Sequence, residues 1–101
     1  MTFKDLANTV KKNKLAVDLD MLRLAYDFAA DAHKGQTRFN GQPYIDHPLH
    51  TANTLAKIKM DEPSIIAGLL HDVPEDTGIT LKQIQENFGD EVAMLVVGIT
   101  K

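Results

Sequence analysis

Five side chains that can bind a divalent cation or move a proton fall in two short stretches of the sequence. His47 lies in the first stretch, and His71, Asp72, Glu75 and Asp76 lie within six positions of the second. Neutral imidazoles and carboxylates are the ligand set of Mn, Fe and Zn sites. A carboxylate pair beside such a cation can orient a water molecule or take its proton. The sequence therefore suggests a divalent metal site built from two histidines and an aspartate, with an acidic pair beside it.

Each of these signals is weak when taken alone. A His-Asp dipeptide occurs often without a metal, and residues 75–78 by themselves are compatible with an ordinary polar turn. His33 falls on an inward helical face and is expected to be a structural histidine, whereas His50 is expected to be exposed on the first turn of its helix. Arg38 is able to bind phosphate, but isolated basic residues in loops are usually just solvated.

Composition excludes several classes of protein. The chain has 101 residues, which fits one domain, with 44% hydrophobic and 25% charged residues. Its net charge of -3 argues against nonspecific nucleic-acid binding. The absence of cysteine excludes disulfides, thiolate metal sites and thiol nucleophiles, and is compatible with a cytoplasmic location. The longest apolar runs, IIAGLL and MLVVGI, are far shorter than the ~18 residues that cross a bilayer, so no membrane partner is expected.

Helical periodicity dominates the chain. From Asp18, a candidate N-cap, apolar residues recur with the spacing of an amphipathic helix that carries His33 on its inward face and stops at Gly35. Residues 35–46 are rich in turn formers and predict an ordered loop. Further helices are predicted to begin at Pro48, Pro63, Leu81 and Asp90.

The helix after Pro63 is predicted to be buried on most sides and to end near Val73, because Pro74 is poorly tolerated inside a helix. Residues 75–76 would then stand in a turn at the mouth of the metal site. No segment alternates with a period of two over the length of a strand. The predicted fold class is therefore all-α, with about five or six helices.

The last predicted helix is apolar on more than one side, at Val92, Ala93, Leu95, Val96, Val97 and Ile99. Such a helix needs cover from a partner chain or from further C-terminal residues. A homo-oligomer or a domain swap through this helix is one expectation.

Three blocks in register carry a resemblance to a known family: AYDFAADAHKGQTRFNGQPYIDHPL, LLHDVPEDTGIT and FGDEVAMLVVGITK. They resemble the N-terminal hydrolase domain of the RelA/SpoT family, an HD-type all-helical phosphohydrolase domain. The likeness covers about residues 20–101. It implies that residues 1–101 form the N-terminal part of a single HD-domain helical bundle, C-terminally incomplete. It also implies removal of the 3′-pyrophosphate of ppGpp and pppGpp (guanosine tetraphosphate and pentaphosphate), giving GDP or GTP and pyrophosphate, usually with Mn²⁺.

The resemblance also implies roles for individual residues: metal ligands His47, His71 and Asp72, an acidic pair Glu75 and Asp76 that assists attack by water, and a substrate contact at Arg38. Phe39 and Asn40 depart from the family pattern beside that arginine. The family's fourth metal ligand is an aspartate further downstream than Lys101. We therefore expect the 101-residue chain by itself to bind metal weakly and to hydrolyse little.

Two alternatives remain open at this point. In the first alternative, the chain is a stand-alone HD hydrolase that acts on another nucleotide phosphate, with Mn²⁺ or another divalent metal. In the second, the chain is a non-catalytic module that binds nucleotide or holds an interaction partner.

Overall fold

Seven helices make up the described part of the chain, which comprises residues 1–37, 41 and 43–100 of a computed structural model. In chain order they are α1 (Phe3–Lys12), α2 (Leu19–Ala32), α3 (Asp46–Lys57), α4 (Glu62–Leu70), α5 (Val73–Asp76), α6 (Leu81–Phe88) and α7 (Asp90–Thr100). These residues form no β-strand, only an isolated bridge between Thr37 and Pro43. The prediction of an all-α fold is confirmed. The additions to the predicted elements are α1 and the single turn α5.

Helix α4 is the centre of the core. Every residue from Ser64 to Leu70 is buried, and α4 packs against α2, α3 and α7. Its start is fixed by Asp61, whose carboxylate accepts a hydrogen bond from the Ser64 amide at 3.1 Å. An apolar run with neighbours on most sides loses water from most of its surface, which stabilises the fold. The central position of α4 also fixes where the chain emerges at His71 and Asp72.

The helix boundaries near Pro48 and Pro74 differ from the predicted ones. Helix α3 begins at Asp46, so Pro48 stands in its first turn rather than at its first position. Helix α4 already ends at Leu70, before the predicted end near Val73. A proline is tolerated in the first turn of a helix, where its missing N–H has no intrahelical partner. Pro74 therefore sits near the start of α5, and residues 75–76 lie in a helical turn rather than in a non-helical one.

Capping signals in the sequence match the observed starts of α2 and α6, whereas α2 ends before the predicted stop at Gly35. The Asp18 carboxylate accepts from the Asp20 amide at 2.9 Å and starts α2. The Thr80 hydroxyl accepts from the Gln83 amide at 3.2 Å, while the Gln83 side chain accepts from the Thr80 amide at 2.8 Å. Helix α2 ends at Ala32, which leaves the next residue, His33, at the C-cap.

Helix α7 keeps one face in the core and one face in solvent. Val92, Ala93 and Val96 are buried, whereas the Met94 side chain is 72% exposed and Ile99 is 39% exposed. None of the helices in the described residues combines the length and the apolar character that crossing a membrane requires.

Candidate metal centre

The predicted metal ligands His47, His71 and Asp72 are brought together where α3 meets the end of α4. His47 lies in the first turn of α3, and His71 and Asp72 follow α4 directly. Oδ2 of Asp72 lies 3.5 Å from Nε2 of His47 and 3.3 Å from Nε2 of His71. The three candidate ligand atoms all lie within 4.8 Å of one another. Packing of α3 on α4 therefore converts two distant stretches of sequence into one cluster.

These separations suit a shared divalent cation. Nitrogen and oxygen ligands lie about 2.0–2.2 Å from a bound transition metal, which places neighbouring ligands about 3.0–3.5 Å apart at octahedral to tetrahedral angles. The two distances to Asp72 Oδ2, 3.3 and 3.5 Å, fall in that interval. The donor set of two imidazoles and one carboxylate suits Mn, Fe or Zn. The residues present thus fit the cation that the cluster implies.

The His71 ring is oriented by a backbone carbonyl. Its Nδ1 lies 2.7 Å from the carbonyl oxygen of Gly68. A carbonyl oxygen can only accept, so Nδ1 carries the proton of the neutral ring and the lone pair lies on Nε2. That nitrogen is the one that faces Asp72. A partner on the other ring nitrogen is the usual way in which proteins fix a metal-binding histidine.

The cluster is closed on one side and open on the other. The side chains of His71 and Asp72 are 11% and 15% exposed, whereas His47 is 40% exposed. The His47 and His71 rings meet edge to face with their centroids 5.7 Å apart. His47 therefore lies on the open side of the cluster, while the other two side chains are held against the core.

Tyr44 joins the cluster to the acidic pair, a role that the sequence analysis missed. Its hydroxyl lies 2.7 Å from Oδ2 of Asp76 and 3.1 Å from Oδ2 of Asp72. Burial, the hydrogen bond to Asp76 and the negative charge of Asp72 raise the pKa of Tyr44 above its ordinary value. The hydroxyl therefore keeps its proton and acts as a hydrogen-bond donor to the two carboxylates. The only signal in the sequence that could have indicated this role of Tyr44 was its position three residues before His47.

The two acids of the predicted pair are placed differently. Both Glu75 and Asp76 are exposed and belong to α5. The Asp76 carboxylate shares the Tyr44 hydroxyl with the Asp72 carboxylate. Glu75 lies in the same helical turn and outside the three-residue cluster. The predicted substrate contact, Arg38, lies outside the described residues.

The two remaining histidines lie away from the cluster. His33 is only 3% exposed, and its ring stacks on Tyr44 with centroids 4.6 Å apart. Its Nδ1 lies 3.1 Å from Oε1 of Gln36. The His50 side chain is 57% exposed and its Nε2 lies 3.4 Å from a carboxylate oxygen of Asp46. His33 thus supports the ring of Tyr44 from within the core, and His50 points to solvent.

Fold, donor set and sequence together place the chain in a family of metal-site domains. The family model described as HD domain matches residues 25–101. The chain belongs to the HD domain family, and its resemblance to the RelA/SpoT branch of that family is confirmed.

Particular relatives support that assignment. The chain is 51% identical over 84 residues to a GTP pyrophosphokinase of Myxococcus xanthus, which covers 83% of this chain and 11% of that protein. It is 51% identical over 80 residues to the bifunctional (p)ppGpp synthase/hydrolase SpoT of Escherichia coli, covering 79% of this chain and 11% of SpoT. It is 40% identical over 99 residues to a guanosine-3′,5′-bis(diphosphate) 3′-pyrophosphohydrolase of Vibrio cholerae, covering 98% of this chain and 14% of the relative. The chain therefore spans only a small part of the length of these relatives.

Proposed function

We propose that this chain carries the metal-binding part of a (p)ppGpp 3′-pyrophosphohydrolase domain. The reaction hydrolyses the bond between the ribose 3′-oxygen and the pyrophosphate group. One water molecule is consumed, and GDP or GTP and pyrophosphate are released. Mn²⁺ is the proposed cation, and a cytoplasmic location goes with the proposal because the substrate is a guanine nucleotide.

The observation that carries the proposal is the convergence of two imidazole nitrogens on Oδ2 of Asp72, at 3.3 and 3.5 Å. Such a cluster has little structural purpose of its own, because placing two histidines and a carboxylate at one half-buried point costs desolvation free energy. A divalent cation offsets that cost. When bound there, the cation supplies Lewis-acid polarisation of a phosphoryl oxygen and a lowered pKa for water.

The chain's own residues would complete the chemistry. Asp76 is an exposed carboxylate one hydroxyl group away from the cluster, which suits it to accept a proton from the attacking water. Tyr44 holds that carboxylate by donating a hydrogen bond. Glu75, in the same helical turn, is proposed to assist in orienting the water. Arg38 is proposed to offset phosphate charge on the substrate.

The names of the relatives include both synthesis and hydrolysis of guanine nucleotides, so names alone do not choose between these reactions. This chain brings a candidate cation cluster close to the proposed proton acceptor Asp76. Hydrolysis needs that combination, because water must be deprotonated as it attacks phosphorus. The site therefore favours hydrolysis.

Metal binding by the chain is the first test. Titration with Mn²⁺ in a calorimeter is expected to give one site per chain. Asp72→Asn removes one negative charge and should weaken the affinity about tenfold or more. His50→Ala is the matched control, because this exposed histidine lies on the same helix as His47 and should leave Mn²⁺ binding unchanged. Equal binding by wild type and Asp72→Asn would reject the ligand assignment.

Substrate turnover is the second test. Because three side chains supply the ligands in the described part of the chain, we expect weak Mn²⁺ binding and slow hydrolysis. Single-turnover assays with excess protein and saturating Mn²⁺ make a slow reaction measurable. Release of pyrophosphate from ppGpp, faster than phosphate release from GMP or NADPH, supports the proposal. Faster reaction of another nucleotide would favour a different HD hydrolase, and nucleotide binding without any product would favour a non-catalytic module.

A further inference from the structure

The side chain of Gln36 spans the gap between α2 and α5. Its Nε2 donates a hydrogen bond to the backbone carbonyl of Asp76 at 2.8 Å. Its Oε1 lies 3.1 Å from Nδ1 of His33. The Asp76 carbonyl can only accept, so the NH₂ group must face it and the amide oxygen must face His33. It follows that Nδ1 of His33 is the donor, and that both ends of the Gln36 amide are used.

The contact at Asp76 meets a requirement of the short helix α5. The last carbonyl groups of any helix have no partner within the helix. Helix α5 is four residues long and ends at Asp76, and the backbone of Thr77 is already extended. Gln36 supplies a donor from another part of the chain, 40 positions away, to a carbonyl at this end. Gln36 thus adds a contact from outside α5 to the backbone of the residue that carries the Asp76 carboxylate.

Gln36 is itself held firmly. Its backbone amide donates to the His33 carbonyl at 2.9 Å, and its own carbonyl accepts from the Tyr44 amide at 3.1 Å. The His33 ring, only 3% exposed, packs against Tyr44 as well as contacting the Gln36 amide. Two residues outside α5 therefore contact Asp76: Gln36 binds its carbonyl and Tyr44 binds its carboxylate, in addition to the bond from its own amide to the Asp72 carbonyl at 3.0 Å. Both Gln36 and Tyr44 contact the His33 ring.

We propose that Gln36 is a positioning residue for Asp76. The inference rests on the proposed function, in which Asp76 accepts the proton of the attacking water. The side-chain amide of Gln36 hydrogen-bonds the Asp76 carbonyl and His33 rather than a cation ligand or the Asp76 carboxylate, so its effect should pass through the backbone of α5. Loss of the Gln36 amide should therefore slow the chemical step and leave metal binding unchanged.

The test compares Gln36→Ala with Gln36→Glu. Glutamate keeps the length of the side chain and an acceptor for His33, but when ionised it has no donor for the Asp76 carbonyl. Gln85→Ala is the control, because the Gln85 amide likewise donates to an aspartate, in this case the Asp90 side chain at 2.6 Å, but between α6 and α7. Four quantities are measured: the single-turnover rate of pyrophosphate release, the ppGpp concentration at half-maximal rate, the Kd for Mn²⁺, and amide hydrogen exchange in residues 73–77.

Both Gln36 variants should release pyrophosphate about tenfold more slowly, since a small misplacement of a reacting group has effects of this size. The half-maximal ppGpp concentration and the Mn²⁺ affinity should stay within about twofold. Hydrogen exchange in residues 73–77 should be faster than in the wild type. Gln85→Ala should match the wild type in all four measurements.

Three results would overturn the inference: unchanged exchange in residues 73–77, an unchanged rate in both Gln36 variants, or a parallel loss of Mn²⁺ affinity that indicates general unfolding. Failure of the proposed function looks different. In that case the wild-type chain itself shows no Mn²⁺-dependent release of pyrophosphate from ppGpp, and the positioning role falls with it.

Discussion

The Tyr44 hydroxyl lies 2.7 Å from Oδ2 of Asp76, a carboxylate 32 positions later in the chain. The same hydroxyl lies 3.1 Å from Oδ2 of Asp72, so one phenol links the cation cluster to the proposed proton acceptor. Two carboxylates that approach a common point repel each other, and a neutral donor between them reduces that cost. Tyr44 thus allows the proposed ligand Asp72 and the proposed base Asp76 to share a small volume.

Replacing Tyr44 with Phe should slow hydrolysis and spare metal binding. The aromatic ring that stacks on His33 is retained, so packing should change little. A hydrogen bond to a charged group contributes about 1.5–3 kcal/mol, and its loss frees the Asp76 carboxylate to rotate. We expect single-turnover release of pyrophosphate from ppGpp to fall about tenfold, with the Mn²⁺ Kd changed less than about threefold.

Tyr26→Phe is the matched control for that substitution. Tyr26 lies on α2, where its ring packs near Phe3 rather than near the cluster. The Tyr26→Phe variant should hydrolyse ppGpp at the wild-type rate. A wild-type rate for Tyr44→Phe, or an equal decrease in both variants, would contradict the role assigned to the Tyr44 hydroxyl.

Local signals in the sequence predicted most of the helices. Asp18 and the pair Thr80 and Gln83 act over two or three residues, so their effect on a helix start does not depend on the rest of the fold. A capping signal of the same kind could have predicted the start of α1, where the Asp5 carboxylate accepts a hydrogen bond from the Thr2 amide at 2.8 Å. The end of α4 was harder to predict, because Pro74 is compatible both with a helix stop and with the first turn of a new helix.

The contents of the site could be predicted only in part. Residue types identified His47, His71 and Asp72 as candidate ligands, and the packing of α3 on α4 brings them together. The hydrogen bonds of Tyr44 and Gln36 reach 28 to 40 positions along the chain. No periodicity or spacing rule encodes such contacts, since they join residues that only the tertiary fold brings together at α5.

The N-cap of α4 provides a test of how the core helix is positioned. Asp61→Ala should lower the free energy of unfolding by about 1 kcal/mol at neutral pH, the usual effect of losing such a cap. Asp61→Asn keeps an acceptor for the Ser64 amide and should lose much less. Urea unfolding followed by circular dichroism measures both values.

The pH dependence of the Asp61 cap follows from its charge. Hydrogen bonds from the side chain and then the backbone of Ser64 hold the pKa of Asp61 below its ordinary value. A lowered pKa in the folded state means that the contribution to stability is fully present above the pKa of the unfolded chain, near 3.8, and is lost as the pH falls through the folded value. The difference between wild type and Asp61→Ala should therefore shrink from pH 7 to pH 3. A difference that stays constant over this interval would show that the ionised carboxylate is not the source of the stabilisation.

The spacing of α3 and α4 sets the geometry of the cluster, and Gly68 allows the two helices to approach closely. A Cβ atom at this position would lie 2.8 Å from Cδ1 of Leu55 and 3.4 Å from Cα of Ala52. The end of a leucine side chain can move, so Gly68→Ala should be tolerated, and the better helix propensity of alanine offsets part of the strain. Gly68→Val adds two methyl groups against the α3 backbone. It should lower the free energy of unfolding by about 1–3 kcal/mol.

The same substitution should also weaken Mn²⁺ binding, because His47 lies on α3 whereas His71 and Asp72 follow α4. Pushing the helices apart lengthens the distance from His47 Nε2 to Asp72 Oδ2, now 3.5 Å, beyond what one cation spans. Gly98→Val on α7 is the control, since a Cβ there meets nothing within 4 Å. Thermal unfolding and Mn²⁺ titration should show both losses in Gly68→Val and neither in Gly98→Val. If Gly68→Val loses stability but binds Mn²⁺ with wild-type affinity, the contact between α3 and α4 does not set the separation of the ligands.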